Sequence, residues 1–237
     1  MRIRGELHRA AKILSSGGVE EPNIEAEILL MHVFGIGRAR LYVQLEEELS
    51  PQETEAFDCL INRRLNHEPS AYITNSREFF GLDFYVDQRV LIPRPESELL
   101  VEMALKRRPG KVCDVGTGSG AIAISIAVGH PEAQVYAIDI SPDALEVAAI
   151  NCHKYGVADR VHFLLGEMLA PLPEAVDLIV ANLPYIGEND KRLSPEIDFE
   201  PPIALYGGQN GREKMSMVLS QAGDKLRPGG SLLLEVG

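Results

Sequence analysis

The chain of 237 residues has no tryptophan, three cysteines and only 6% aromatic residues. Cys59, Cys113 and Cys152 are odd in number and far apart, and no CxxC or Cys/His ligand spacing joins them. That pattern argues against a disulfide scaffold and against a structural zinc site. Basic charge is scarce: Lys+Arg is 23 against Asp+Glu 35, a formal charge of −12. An acidic chain is a poor generic binder of phosphates, so direct nucleic-acid binding is not expected. The deficit is spread out, with 8 basic and 12 acidic groups in residues 1–72 and 15 and 23 in the remainder, so neither a basic arm nor an acidic tail stands out. Long apolar runs are missing too. Ala121–Val128 is far short of the roughly 18–20 residues that span a bilayer. Met1-Arg2-Ile3-Arg4 is basic, but Glu6, His8, Arg9 and Lys12 follow where a signal peptide has its apolar core. These absences lead us to expect a reduced, cytoplasmic protein that does not enter a membrane.

What is present is ordinary globular usage, 45% apolar and 24% charged, in a length that fits one large or two modest domains. Residues 1–72 read as a small helical domain of three or four helices. Ile3, Leu7, Ala10, Ala11 and Leu14 recur at helical spacing before Gly17-Gly18. Ile24, Ile28, Leu29 and Val33 form a second stripe that ends near Gly35. Ser50-Pro51-Gln52-Glu53 is a capping box with proline at the first helical position, ahead of Phe57, Leu60, Ile61 and Leu65. No catalytic constellation is visible there, and a packing or partner-docking module is expected.

Residues 73–93 change character. Arg77–Phe80 and Leu82–Val86 are β-prone around Gly81, which predicts a hairpin. Ile92-Pro93-Arg94-Pro95 is an extended linker, because each proline disfavours helix in the residue before it. Residues 94–237 then alternate strand and helix. Strands are predicted at Lys111–Val115, Gln134–Ile138, Val161–Leu165, Val176–Ala181 and Ser231–Glu235, with helices opening at Pro95, Ala121 and Ser141. This is the signature of an α/β fold with a doubly wound, mostly parallel sheet.

Between the first strand and its helix lies Gly116-Thr117-Gly118-Ser119-Gly120. A glycine turn there lets backbone approach a ligand closely and aims N–H groups at it. Asp139, at the tip of the next strand, can accept both hydroxyls of a ribose. Gly116-x-Gly118-x-x-Ala121 also fits the looser dinucleotide fingerprint, so glycines alone do not separate NAD from S-adenosylmethionine. Asp114 shifts the balance, since an acid beside the first glycine can reach an ammonium group that NAD lacks. A Walker-type loop is excluded, because no Gly-Lys-Ser/Thr follows. The fourth strand delivers Asn182-Leu183-Pro184-Tyr185 to the same rim. The Asn182 side-chain oxygen and the Leu183 carbonyl can hold both hydrogens of a planar NH2 group, with Tyr185 stacked on its plane. Holding them turns the nitrogen lone pair toward an electrophile, by positioning and preorganisation rather than by a strong base.

Asp114-x-Gly116-x-Gly118-x-Gly120, Asp139, Asn182-Leu183-Pro184-Tyr185, Ile92-Pro93-Arg94-Pro95-Glu96 and Phe199-Glu200-Pro201 together resemble the peptide chain release factor glutamine methyltransferases, the PrmC/HemK family. The resemblance implies a class I methyltransferase fold and methyl transfer from S-adenosylmethionine to the glutamine of a Gly-Gly-Gln loop in a class 1 release factor. S-adenosylhomocysteine is the other product, and a monomer is expected. It implies cofactor binding by Asp114, Gly116, Thr117, Gly118, Ser119, Gly120, Asp139, Glu167, Met168 and Asn182. Asn182, Leu183, Pro184 and Tyr185 would bind the glutamine, with Asn182, Pro184 and Tyr185 as the catalytic group. Three departures stand out. Glu167 replaces the commoner Asp, and Leu183 replaces the usual Pro. The chain also stops at Gly237, where the family continues with a helix and two strands, so the fifth strand is expected to be an open edge. Arg94 and Glu96 either line the pocket or cap a helix, and Phe79 and Phe80 are expected to pack rather than bind. Gly207-Gly208-Gln209 copies the substrate tripeptide and is read as coincidence. Two other readings compete: N6-adenine methylation of rRNA or DNA, suggested by Asn182–Tyr185, and a cofactor-binding adaptor without turnover.

Overall fold

A computed structural model of the chain describes residues 2–188, 190 and 194–236. Met1 and Gly237, which bound the domains read from sequence, lie outside the described residues. Two compact units divide the chain, Met1–Asn75 and Ser76–Gly237.

In the first unit, local chemistry sets where helices begin and stop. The helices are α1 (Ile3–Ser16), α2 (Pro22–Phe34), α3 (Arg38–Val43), α4 (Pro51–Leu65) and α5 (Ser70–Thr74). The capping box at α4 forms as its pattern predicts: Ser50 accepts from the Glu53 N–H, and the Glu53 carboxylate takes the Ser50 N–H. Its apolar positions Leu14, Leu29, Leu30, Leu41 and Phe57 are wholly buried. One stripe is phased differently from the expectation. α2 buries Ala26, Leu29 and Leu30 and leaves Ile24 40% exposed. The small Ala26, with Ala10 and Ala11 of α1, lets these two neighbouring helices close up, and that packing outweighs the larger Ile24.

In the second unit, the hairpin forms from β1 (Arg77–Phe79) and β2 (Leu82–Phe84). Phe79 and Phe84 are buried edge to face at 6.1 Å, so Phe79 packs as expected. Pro95–Ser97 makes a single tight turn that leads into α6 (Glu98–Arg107). The alternating region gives β3 (Lys111–Val115), α7 (Ala121–Gly129), β4 (Gln134–Asp139), α8 (Pro142–Lys154), β5 (Val161–Leu165) and β6 (Val176–Ala181). After these come β7 (Ile186–Gly187), α9 (Pro202–Leu205), β8 (Tyr206–Gly208), α10 (Glu213–Lys225) and β9 (Leu226–Leu234). The last strand begins well before the predicted Ser231, across an irregular register at Val176 and Leu178. Among the described residues β9 pairs with β6 alone.

The five-stranded sheet is parallel throughout, in the order β5-β4-β3-β6-β9. This is a doubly wound, parallel α/β sheet, as the alternation of strand and helix patterns predicts. Alternate strand residues serve two cores. Val112, Val135 and Val180 pack with α6 and α7, while Cys113, Ile179 and Ala181 pack with α10. The order reverses between β3 and β6, and a crevice for ligands opens outside their carboxyl ends. Val115 pairs with Ala181, so Gly116 and Asn182 leave the sheet side by side.

Candidate functional site

The crevice is shaped first by the glycine turn. Gly116, Gly118 and Gly120 have φ of +72°, +54° and +80°, a region that side-chain-bearing residues rarely occupy. The Gly116 and Thr117 N–H groups both donate to the Ile138 carbonyl at 2.9 Å, which ties the turn to β4. At Gly120, an added Cβ would lie 2.7 Å from Ile124 and 3.2 Å from the Ala148 Cβ, so glycine also lets α7 and α8 approach.

Two acids hold this turn. Asp139 accepts the Gly118 N–H and the Ser141 N–H, each at 2.9 Å. Asp114 is 1% exposed and accepts from the Thr117 hydroxyl at 2.7 Å and the Ala123 N–H at 3.2 Å. Its other oxygen, Oδ1, is buried without a hydrogen bond. Burial pushes the Asp114 carboxyl up to about 7, and burial raises Asp139 as well. Neither carboxyl is hydrogen-bonded to a cation among the described residues. Asp139, in the wall of the cleft, is an acid with no cationic partner, a setting that suits a cationic ligand, whereas Asp114 is buried beneath the turn, where burial favours its neutral form.

Above the turn lies an open cleft whose free space, solvent included, is about 790 Å³. Gly116, Gly118, Asp139, Glu167, Met168, Asn182, Leu183 and Pro184 line it. A smaller cavity of about 390 Å³ adjoins it and adds Thr117 and Ser119 to the walls. Gly116, Gly118 and Asn182 face both. Three expected site residues line neither: Asp114 and Gly120 sit beneath the turn, and Tyr185 stands 46% exposed outside the cleft. Glu167 is ion-paired at 3.1 Å with Lys214, which closes that wall from α10.

Asn182 is oriented by groups that the sequence reading did not single out. Its Nδ2 donates to Ser97 Oγ at 2.8 Å, and Ser97 Oγ donates to Glu235 Oε2 at 2.6 Å. Arg94, in the wall of the smaller cavity, is paired with the buried Glu200, whose other oxygen takes the Ile92 N–H at 3.1 Å. Glu96 is exposed instead. Gly207 and Gly211 were also missed as architecture. An added Cβ at Gly207 would lie 2.2 Å from the Pro184 carbonyl oxygen, and one at Gly211 2.0 Å from that of Tyr185. Glycine is required there because β7 and β8 lay one backbone directly on another. The repeated glycines over 207–211 were the available signal.

Sheet, switch point, glycine turn and Asp139 mark a cofactor-binding α/β domain, and residues 107–235 match the family described as "Methyltransferase domain". Residues 7–74 match "PrmC N-terminal domain". A release factor glutamine methyltransferase of Moorella thermoacetica is 45% identical over 243 residues, covering 100% of this chain and 86% of that protein. One from Neisseria gonorrhoeae is 45% identical over 222 residues, covering 91% and 81%. The crystal structure of a ribosomal protein L11 methylase from Lactobacillus delbrueckii subsp. bulgaricus aligns at 23% identity and a TM-score of 0.45, covering 63% of this chain and 64% of that one. The chain belongs to the release factor glutamine methyltransferase family.

Proposed function

We propose that this protein methylates the side-chain nitrogen of the glutamine in the Gly-Gly-Gln loop of a class 1 release factor, using S-adenosylmethionine. The observation that supports this reading most is the side-by-side exit of Gly116 and Asn182 from paired strands into one cleft. The residues present fit the cofactor. The Asp139 carboxyl in the cleft wall has no cationic partner and can meet its positive charge or its ribose, and the glycine turn leaves room for close backbone approach. When bound, S-adenosylmethionine supplies a methyl group made electrophilic by a sulfonium.

The chain's own work is positioning. Asn182 Oδ1 and the Leu183 carbonyl accept the two N–H hydrogens of the glutamine amide. That weakens delocalisation of the lone pair into the carbonyl and turns it toward the methyl group. Pro184 keeps Leu183 extended, so the role falls on a backbone carbonyl and tolerates leucine at 183. Asp139 serves the ribose with the lone pairs left after it has pinned Gly118 and Ser141. The helical unit is the docking module for the release factor. Adenine methylation of RNA or DNA is disfavoured by a formal charge of −12.

The test is transfer of a labelled methyl group to a purified class 1 release factor. Incorporation that disappears when its Gly-Gly-Gln glutamine is changed supports the reading. Labelling of RNA and not of protein overturns it. Asp139→Ala is expected to weaken S-adenosylmethionine binding by about tenfold or more, as two turn-pinning hydrogen bonds vanish.

A further inference from the structure

An asparagine that must present its oxygen has a problem: the amide is nearly symmetric in shape, and turning it over presents two hydrogens instead. Against the NH2 of a substrate amide, the wrong face is repulsive. Something has to choose the face, and the structure contains the choosing groups.

Ser97 is 3% exposed and lies at the start of α6. A serine at that position ordinarily caps its helix, yet the Ser97 side chain makes no cap hydrogen bond. Its single hydroxyl hydrogen goes to Glu235 Oε2 at 2.6 Å, and a carboxylate can only accept. Ser97 Oγ therefore has only lone pairs left for Asn182, and only the NH2 end of Asn182 can face it. No hydrogen bond from a described residue reaches Asn182 Oδ1, and Asn182 lines the cleft. Glu235 is itself held in place, because its N–H donates to the Ala181 carbonyl at 3.0 Å, the residue just before Asn182.

We propose that Ser97 and Glu235 are positioning residues whose chain of hydrogen bonds fixes the Asn182 amide with its oxygen toward the glutamine. The inference rests on the assignment of Asn182 to the substrate amide made above. It predicts a loss of control in Glu235→Gln. The new carboxamide can accept from Ser97 Oγ or donate to it, and where it donates, Ser97 donates to Asn182 and the amide turns its NH2 outward. The change keeps every heavy atom in place.

Methyl transfer to a purified class 1 release factor is measured with Ser97→Ala, Ser97→Thr, Glu235→Gln and the double change Ser97→Ala/Glu235→Gln. Ser97→Ala and Glu235→Gln are expected to lower kcat by about 100-fold, the scale of a misplaced reacting group, with KM for the release factor and Kd for S-adenosylmethionine within about twofold. Ser97→Thr retains the hydroxyl and stays within about threefold, and the double change is no worse than Glu235→Gln alone, because the groups act as one unit. A kcat within about threefold for Ser97→Ala overturns the proposal. So does a parallel loss of cofactor binding in Ser97→Ala and Glu235→Gln, which assigns them a purely structural role. Asn182→Ala separates the two claims. If it is inactive while the other variants turn over, the relay alone falls; if it too is active, the reading of Asn182 falls.

Discussion

The helical unit and the glycine turn of the sheet unit bury charge in opposite ways. In the helical unit, buried charge is cancelled by opposite charge. Glu6 is 3% exposed and pairs with Arg9 at 2.6 Å, and Arg64, also 3% exposed, pairs with Glu25 at 2.8 Å. In the sheet unit, Asp114 is buried against a hydroxyl and a backbone N–H only, with one oxygen unsatisfied. Asp139 is held by backbone N–H groups. The first arrangement stabilises a shape and asks for nothing further. The second leaves a field that a ligand can complete. Buried acids without a counter-charge mark the functional rim better than any count of polar residues does.

That contrast can be broken by measurement. The largest expected effect is on turnover: Asn182→Ala lowers kcat for release factor methylation by about 100- to 1,000-fold while the fold persists by circular dichroism. Unchanged turnover would remove the side chain from the chemistry. Asp114→Asn comes next and acts on stability. The native carboxyl keeps its proton up to about 7, whereas in the unfolded chain it loses it near 3.8. Between those values the native state binds more protons, so stability falls as pH rises through that window and levels off above it. Asparagine has no such loss, and the variant should gain roughly 4 kcal/mol relative to the unaltered protein on going from pH 4 to pH 8, read from urea unfolding at both. A pH-independent difference would show that Asp114 ionises normally.

In the helical unit the sign reverses. Arg64→Met leaves the half-buried Glu25 with only the Ser70 hydroxyl and without its cationic partner, and should cost about 2 kcal/mol in urea unfolding at pH 7. A neutral result would erase the distinction between the two units. The smallest effect is Ser50→Ala, about 1 kcal/mol from loss of the α4 cap, with kcat unchanged.

The expectations that succeeded rest on local rules. The capping box at Ser50 and the strands Lys111–Val115, Val161–Leu165 and Val176–Ala181 are fixed by residues within a few positions of one another. The stripe through Ile24 failed because burial there depends on how closely two helices approach, which no window of α2 contains. Asp114 was expected to reach a ligand directly. It lies beneath the turn instead, since a strand's last residues point alternately to its two faces and its carboxyl meets Thr117 and the start of α7 first.

Sequence alone determined the order of strands and helices, the glycine turn and the presence of an asparagine at a strand end. Each of those follows from backbone preference and periodicity over a handful of neighbours. Tertiary structure decided which groups meet at the rim. Ser97 and Glu235 are 138 positions apart and share one proton only because parallel strands β6 and β9 carry Asn182 and Glu235 to the same edge, where the turn before α6 arrives. Hydrogen-bond direction, and with it the face that an amide shows to its substrate, depends on such distant partners.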